Sequence, residues 1–184
     1  LVNALLAGLD ETRIHVAMLR HAQLDPGNLV RMVVDAFALP LEDANSANPV
    51  SALEQFLRQQ NQAGHRAVLI VDEAQGLSSA ELEELRLLTN PDAGGGSVQL
   101  ILVGQPQLQQ LLYRPDLGQL LQRVVAHYHL QPFSEGETAQ YVEYRLQPAG
   151  CERAVFTSKA MRRIHQGARG IPRLINMICD VALL

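Results

Sequence analysis

The sequence predicts an α/β fold in which a parallel sheet is followed by a small all-helical region. Strand-like segments alternate with helix-like segments as far as Leu130, and only helical patterns follow from Pro132 onward. Residues 67–71 (AVLIV) are continuously apolar and largely β-branched, which is typical of a strand buried on both faces of a parallel sheet. We therefore expect two domains, an α/β core at residues 1–131 and a helical domain at residues 132–184.

Composition narrows the classes of protein to which the chain can belong. Of its 184 residues, 47% are hydrophobic and 18% are charged, which excludes a disordered tail. A net charge of −4 argues against a domain built mainly to bind nucleic acid. The 2 cysteines do not form a disulfide framework, which favours the reducing cytoplasm as its compartment.

The first elements follow from apolar periodicity and turn residues. Residues 1–9 resemble the middle of an apolar helix with no capping residue before it, so we expect the helix to begin upstream and the chain to be a piece of a longer protein. Residues 13–19 alternate as a strand does. The turn residues at 25–27 introduce a helix at 28–38, which ends before Pro40.

The central elements alternate between helix and strand. A helix at 50–63 ends at Gly64. The buried strand at 67–71 follows, and serine and glutamate residues then begin a helix at 78–88. Glycines at 94–96 predict a loop before a second buried strand at 98–103.

The last third of the chain is predicted to be mainly helical. Two short helices, at 107–113 and 116–123, are separated by Pro115. Residues 124–130 alternate as an edge strand does. The remaining helices are expected at residues 135–146, 158–166 and 172–184.

The strongest functional signal is the segment AVLIVDEAQ at residues 67–75. A buried parallel strand delivers Asp72 and Glu73 to its carboxyl end, where open α/β sheets place their ligands. Two adjacent carboxylates are unfavourable there without a cation nearby. In nucleotide triphosphatases this arrangement is the Walker B motif, in which the aspartate holds Mg²⁺ through its water shell and the glutamate polarises the attacking water. The alternative is that Asp72 caps the following turn while Glu73 is solvated.

Three further polar residues lie at or near the ends of predicted helices and strands. Gln105 ends the next strand and would lie beside Asp72 if the two strands are neighbours, placed to orient a water or a γ-phosphate; the alternative is an ordinary turn before Pro106. Arg123 lies at a helix end, just before the strand predicted at 124–130. Arg173 lies near a helix start, where a cation opposes the helix dipole unless it meets an anion.

The segments LIVDEAQ, LRLLTN, ILVGQPQL, QRVVAHYHLQPFSEGET and GIPRLIN together resemble the AAA+ ATPases of the general secretion pathway protein A (ExeA-like) branch, in order and spacing, over essentially the whole chain. The resemblance implies a P-loop NTPase core followed by a helical lid, with ATP and Mg²⁺ as cofactors. It makes Asp72 and Glu73 the Walker B pair, with Asp72 on the Mg²⁺ side, and Gln105 the sensor 1. It makes Arg123 an arginine finger for a neighbouring subunit and Arg173 the sensor 2 of the lid.

One departure from the family's pattern concerns the phosphate-binding loop. Such a loop is Gly-rich and ends in Lys-Ser/Thr, but the only lysine is Lys159, in the helical part, and no G-x-x-x-x-G-K-[ST] occurs. In relatives the loop lies immediately before the segment that matches LVNALLAGLDE, where this chain begins. We therefore expect the chain to start just after the Walker A loop, to be inactive by itself, and to leave the sheet with a gap or an unpaired edge.

The resemblance implies an ATPase module that drives or gates assembly of an envelope secretion complex from the cytoplasm, in a head-to-tail oligomer. In some members a membrane segment and a peptidoglycan-binding region follow. Two other readings stay open, namely an AAA+ regulator of DNA transposition and a non-catalytic scaffold module.

Two weaker patterns are explained better by a structural role than by a binding site. His127 and His129 would share one face of the strand predicted at 124–130, but no further ligand stands at a suitable spacing, which favours structural histidines over a metal site. The basic, acid-free stretch at 153–173 fits a solvated helix face with one nucleotide sensor better than a nucleic-acid contact.

Overall fold

The computed structural model describes residues 2, 6, 8–10, 12–20, 28–40, 48–90, 96–151 and 153–184. The chain divides into two compact units, Leu1–Val125 and Ala126–Leu184. The strands and α-helices of the described residues are, in chain order, β1 (Ile14–Arg20), α1 (Leu29–Ala36), α2 (Pro49–Gln62), β2 (Arg66–Asp72), α3 (Ser79–Leu88), β3 (Val98–Leu102), α4 (Gln107–Leu112), α5 (Gly118–Leu121), α6 (Glu135–Leu146), α7 (Ser158–Ala168) and α8 (Pro172–Leu183).

The sheet of the first unit has three described strands in the order β1-β2-β3. Both pairings are parallel: Arg20 is aligned with Asp72 at the end of β1 and β2, and Val71 is aligned with Leu102 on β3. The three predicted strands at 13–19, 67–71 and 98–103 are confirmed, with ends that differ by one residue. Within the described residues the strands pair without a gap, and β2 is the middle strand.

Strand β2 is buried on both of its faces. Leu69, Ile70 and Val71 are consecutive, and none of them has exposed surface. Because successive side chains of a strand point to opposite faces of the sheet, burial of three in a row means that both faces are covered. This confirms the interpretation of the apolar run in the sequence.

Helices α1, α2 and α3 form where the sequence predicts them. Asn48 begins α2, since its side chain accepts a hydrogen bond from the backbone N–H of Val50 at 3.0 Å, and Pro49 occupies the first helical position. Ser78 begins α3 in a capping box with Glu81. The apolar sides of these helices supply core residues of the first unit, among them Leu29, Val33, Val34, Leu53, Leu57, Leu82 and Leu85.

The strand predicted at 124–130 is wrong. These residues have no regular secondary structure, and all of them are exposed, with Val125 fully exposed and Tyr128 85% exposed. A strand exists only when its backbone groups pair with a neighbour, and none of the three described strands pairs with this segment. Alternation of apolar and polar residues is therefore insufficient here.

The helix predicted at 116–123 is also shorter than expected. Residues Pro115–Leu117 form a 3₁₀ turn and only α5 is α-helical, so Arg123 lies in the turn after the helix. The helix predicted at 1–9 falls largely outside the described residues. The turn at 25–27 and residues 94–95 of the glycine loop lie wholly outside them.

The second unit is helical throughout its described regular structure, as predicted. Its core is built from Val142 on α6, Ile164 and Ala168 on α7, and Ile175 and Cys179 on α8. Gly170, between α7 and α8, has a φ of 72° and holds the chain close to Phe133, whose N–H donates to the carbonyl of Gly170 at 2.8 Å. A Cβ on Gly170 would lie 2.1 Å from the Phe133 carbonyl oxygen, so this turn requires glycine.

Among the described residues, the helices are all too short or too polar to cross a bilayer.

We expect Leu69→Ala to lower the free energy of unfolding by about 2–5 kcal/mol, because it leaves a cavity at the centre of β2. Denaturant unfolding of the chain measures this loss. Leu87→Ala is the matched control, since Leu87 on α3 is 54% exposed and its truncation leaves no buried cavity. Equal losses in the two variants would contradict the burial of the central strand.

Candidate functional site

The site lies where β2 ends. Asp72 is the last residue of the strand and is half-buried, and the exposed Glu73 follows it. Arg20 ends the neighbouring strand β1 in register with Asp72. The first strand and the middle strand therefore bring a cation and two carboxylates to one edge of the sheet.

Glu73 has an unusual backbone conformation. Its φ of 56° and ψ of 34° lie in the left-handed region, which a residue with a Cβ rarely adopts. The Oδ1 of Asp72 accepts a hydrogen bond from the N–H of Glu73 at 2.9 Å. This bond fixes the N–H of Glu73 and does not cap the turn at Ala74–Gly76, which begins at Glu73 without a side-chain cap. Strained conformations of this kind cluster at functional sites, which makes the turn a candidate site on geometric grounds as well.

The end of β3 is joined to this turn by backbone hydrogen bonds. The N–H of Val103 donates to the carbonyl of Val71 at 2.8 Å, and the N–H of Ala74 donates to the carbonyl of Val103 at 2.9 Å. The strands are neighbours, so the condition on which the placement of Gln105 depended is met. The side-chain amide of Gln105 lies 3.5 Å from Oε2 of Glu73, so its contact is with Glu73 and not with Asp72, beside which the sequence placed it.

Gln75, which sequence reasoning did not single out, lies between these groups. Its Nε2 donates to Oε2 of Glu73 at 2.6 Å, and its Oε1 accepts from the backbone N–H of Gln105 at 2.9 Å. The DEAQ segment contains the residue, but no local pattern shows that the turn at Ala74–Gly76 directs the amide toward a loop 30 positions later in the chain.

Arg123 is held by the end of α3. Its two terminal nitrogens donate to Oγ1 of Thr89 at 3.1 Å and to Oδ1 of Asn90 at 3.3 Å. Since β2 and β3 are parallel neighbours, the chain between them must return from the carboxyl edge of the sheet to its amino edge, and α3 makes that return. The anchor of Arg123 therefore lies toward the edge opposite Glu73, and the structure does not bring these two residues together.

A charged network supports the anchor of Arg123. Arg86 contacts Glu83 at 2.7 Å on the surface of α3, and the hydroxyl of Thr89 donates to the carbonyl of Arg86 at 2.7 Å. The hydrogen bond from Arg86, with a smaller effect of the Arg123 charge, lowers the pKa of Glu83 despite some desolvation. Sequence reasoning missed Thr89 and Asn90 because they precede Arg123 by more than 30 positions.

Arg173 belongs to the second unit. It is the second residue of α8, directly after Pro172, and it is exposed. The structure confirms its place near a helix start. His127 and His129 also belong to this unit and are exposed, and the described residues contain no group of three or more potential metal-ligating side chains.

The oxygen donors at the end of β2 fit Mg²⁺. This ion prefers oxygen ligands and is usually held by one or two carboxylates, by waters and by substrate phosphates rather than by a cage of protein ligands. Asp72 and Glu73 supply carboxylates of that kind, and the amides of Gln75 and Gln105 can orient a carboxylate or a water. A ligand that carries Mg²⁺ would meet these groups at the carboxyl edge of the sheet, where open α/β sheets place their ligands.

The parallel sheet with paired carboxylates after its middle strand is that of an open α/β protein whose ligands lie at the carboxyl edge. A family model of the AAA domain matches residues 1–112, which is more than half of the chain, and the chain belongs to this AAA family. General secretion pathway protein A from Aeromonas hydrophila is 43% identical over 175 residues, covering 94% of this chain. The chain spans 32% of the length of that relative.

Solved structures share the fold. The ORC2 protein of Aeropyrum pernix in its ADP form matches with a TM-score of 0.64 at 16% identity, over 98% of this chain and 50% of that one. Cdc6p from Pyrobaculum aerophilum matches with a TM-score of 0.54 at 15% identity, over 83% of this chain and 39% of that one. At such identities these likenesses bear on the fold alone, and they agree with an AAA+ core followed by a helical region.

Proposed function

We propose that the chain is the ATP-binding and ATP-hydrolysing module of a secretion-associated AAA+ protein. The observation that carries this proposal is the pair Asp72 and Glu73 at the end of the central strand, with the amide of Gln105 beside the Glu73 carboxylate. Family membership supports the class of reaction. The likeness to general secretion pathway protein A supports the link with secretion.

The residues at the carboxyl edge of the sheet would each have a separate role in hydrolysis. Asp72 would hold Mg²⁺ through its water shell, and the ion, when bound with ATP, would neutralise phosphate charge. Glu73 would accept a proton from the attacking water, as a general base positioned by hydrogen bonds does. Gln105 would act as sensor 1 and orient that water or the γ-phosphate.

Arg123 would act on a nucleotide bound to a neighbouring subunit. Its anchor at the end of α3 lies toward the amino edge of its own sheet, which is the wrong edge for its own Glu73. Guanidinium is always charged and can meet phosphate oxygens with two parallel N–H bonds. A head-to-tail ring or filament would supply the contact.

The chain would consist of two domains, a core at residues 1–131 and a lid at residues 132–184, with Arg173 as sensor 2. Its exposed place in the first turn of α8 supports this, because a cation there opposes the helix dipole and gains from an anionic ligand. We further propose a cytoplasmic site of action, with envelope assembly components as partners and any attachment to the inner membrane made by regions outside these residues.

A polypeptide of these 184 residues alone should bind Mg-ATP very weakly and hydrolyse none. Its sequence has no G-x-x-x-x-G-K-[ST] loop, whose N–H groups and lysine hold the β- and γ-phosphates. Calorimetric titration with Mg-ATP measures this. Micromolar affinity would mean that other residues of the chain bind the phosphates.

In the full-length protein, Glu73→Gln should retain ATP binding and lose turnover by about 10²–10⁴-fold, since the substitution keeps size and hydrogen bonding but removes the basic carboxylate. Steady-state ATPase rates and nucleotide titration separate the two effects. Asp72→Asn should instead weaken the Mg²⁺-dependent part of binding. Full turnover in Glu73→Gln would refute the proposed base.

Arg123→Ala in the full-length protein should leave ATP affinity nearly unchanged and abolish turnover, because fingers supplied by a partner contribute about 10³–10⁵ in rate. Mixing it with Glu73→Gln protein should restore part of the activity, because some sites then combine an intact Glu73 with an intact Arg123. ATPase assays across mixing ratios and protein concentrations measure this.

Two controls separate a finger from a structural arginine. Asn90→Ala removes one acceptor of Arg123 but keeps the guanidinium, so it should retain most of the turnover. Arg114→Ala removes another exposed arginine, which pairs with Asp116 in its own chain, and should leave turnover unchanged. Turnover that is unchanged in Arg123→Ala and independent of protein concentration would overturn the proposed oligomer as well as the finger.

A further inference from the structure

The side-chain amide of Gln75 makes hydrogen bonds both to the turn that carries Glu73 and to the loop that carries Gln105. At one end of the amide, Nε2 is 2.6 Å from Oε2 of Glu73; at the other, Oε1 is 2.9 Å from the backbone nitrogen of Gln105. The side chain is half-buried, whereas Glu73 and Gln105 are both exposed. The half-buried amide of Gln75 therefore fixes the exposed Glu73 carboxylate relative to the backbone of the exposed Gln105.

We propose that Gln75 is a positioning residue for ATP hydrolysis, which fixes the Glu73 carboxylate relative to the end of β3. The inference rests on the proposed function of Glu73 as the base. Gln75 acts through Glu73 and Gln105 and needs no contact with the nucleotide.

The hydrogen bonds to Glu73 leave one carboxylate oxygen for the reaction. Both the amide of Gln75 and that of Gln105 approach Oε2, so neither of these bonds uses Oε1. An exposed glutamate side chain samples several rotamers, and ordering it costs free energy. A bond of 2.6 Å to a charged acceptor offsets that cost before the substrate arrives, which is how a positioning residue raises a rate.

We call the two hydrogen bonds of the Gln75 amide, to Glu73 and to Gln105, the bridge. The bridge requires both a donor and an acceptor at the tip of one side chain. A primary amide supplies the donor to the Glu73 carboxylate and the acceptor for the Gln105 N–H. Glutamate at this position would keep the acceptor and lose the donor, and it would add a like charge beside Glu73. Alanine would remove both bonds.

Gly104 provides the space for the bridge. A Cβ on Gly104 would lie 2.6 Å from Oε1 of Gln75 and 3.2 Å from the backbone nitrogen of that residue. The closest atom is the far end of a flexible side chain, so an added methyl group would displace the Gln75 amide most. Its contacts with the Gln75 backbone nitrogen and with Cδ2 of Leu108, both 3.2 Å, need shifts of only a few tenths of an ångström. Gly104→Ala is therefore a second way to break the bridge, and it leaves the side chains of Gln75 and Glu73 unchanged.

The test measures kcat, KM and nucleotide affinity for the full-length protein and its variants. Gln75→Ala should lower kcat by about 10- to 100-fold with nucleotide affinity within about 2-fold of the parent, a smaller loss than that of Glu73→Gln. Gln75→Glu should be no better than Gln75→Ala. Gln109→Ala on the exposed side of α4 is the control and should keep the parent kcat.

A double-mutant cycle separates positioning from general damage. Gly104→Ala should reduce kcat in the parent background, but it should have little further effect in Gln75→Ala, because the group that it displaces is then absent. Additive losses in kcat would overturn the proposal, as would a loss in Gln75→Ala that appears in nucleotide affinity or thermal stability rather than in kcat.

The outcomes also distinguish this inference from the proposed function. If Glu73→Gln abolishes turnover while Gln75→Ala and Gly104→Ala keep the parent kcat, the base stands and the positioning role is refuted. If Glu73→Gln keeps full turnover, the proposed function of the site fails, and the positioning role fails with it.

Discussion

The parallel pairing of β2 with β3 is the constraint on which the rest of the site depends. It continues past the last residue of each strand, through the bonds from Val103 to Val71 and from Ala74 to Val103. These bonds hold the turn that carries Glu73 against the loop that carries Gln105. The burial of β2 on both faces fixes the position of the strand that leads into this turn, because a strand packed on two sides cannot shift without opening the core.

Local sequence was sufficient for the central strand, for the acidic pair after it and for the start of α3. The apolar run at 67–71 predicted the central strand because burial on both faces leaves no polar position, and the acidic pair after it followed from the position of a strand end. Ser78 and Glu81 marked the start of α3 because a capping box needs only four residues. The fold class and the placement of Asp72 and Glu73 could therefore be predicted.

Sequence failed where the determinant is a partner distant in the chain. The alternation at 124–130 satisfies the side-chain rule for a strand, but ladder hydrogen bonds come from another strand, and the described sheet supplies none. Gln75 meets Gln105 across 30 positions and Arg123 meets Thr89 across 34. Neither contact produces a periodic pattern in the sequence. Each depends on the path of the segments that connect the strands.

Helix α3 separates the two residues to which the proposal gives roles in hydrolysis, Glu73 and Arg123. It begins just after the turn that carries Glu73 and ends at the residues that hold Arg123, and its 10 residues span about 15 Å at 1.5 Å per residue. A subunit that offers Arg123 to a neighbour therefore presents its own Glu73 on a different side. A two-fold dimer buries the same patch of both partners, whereas contact between different patches is heterologous and continues from subunit to subunit. A separation of about 15 Å lies within the width of one interface, so a two-fold pair that exchanges its Arg123 contacts satisfies the same placement, and the number of subunits in solution decides between that pair and the proposed head-to-tail assembly.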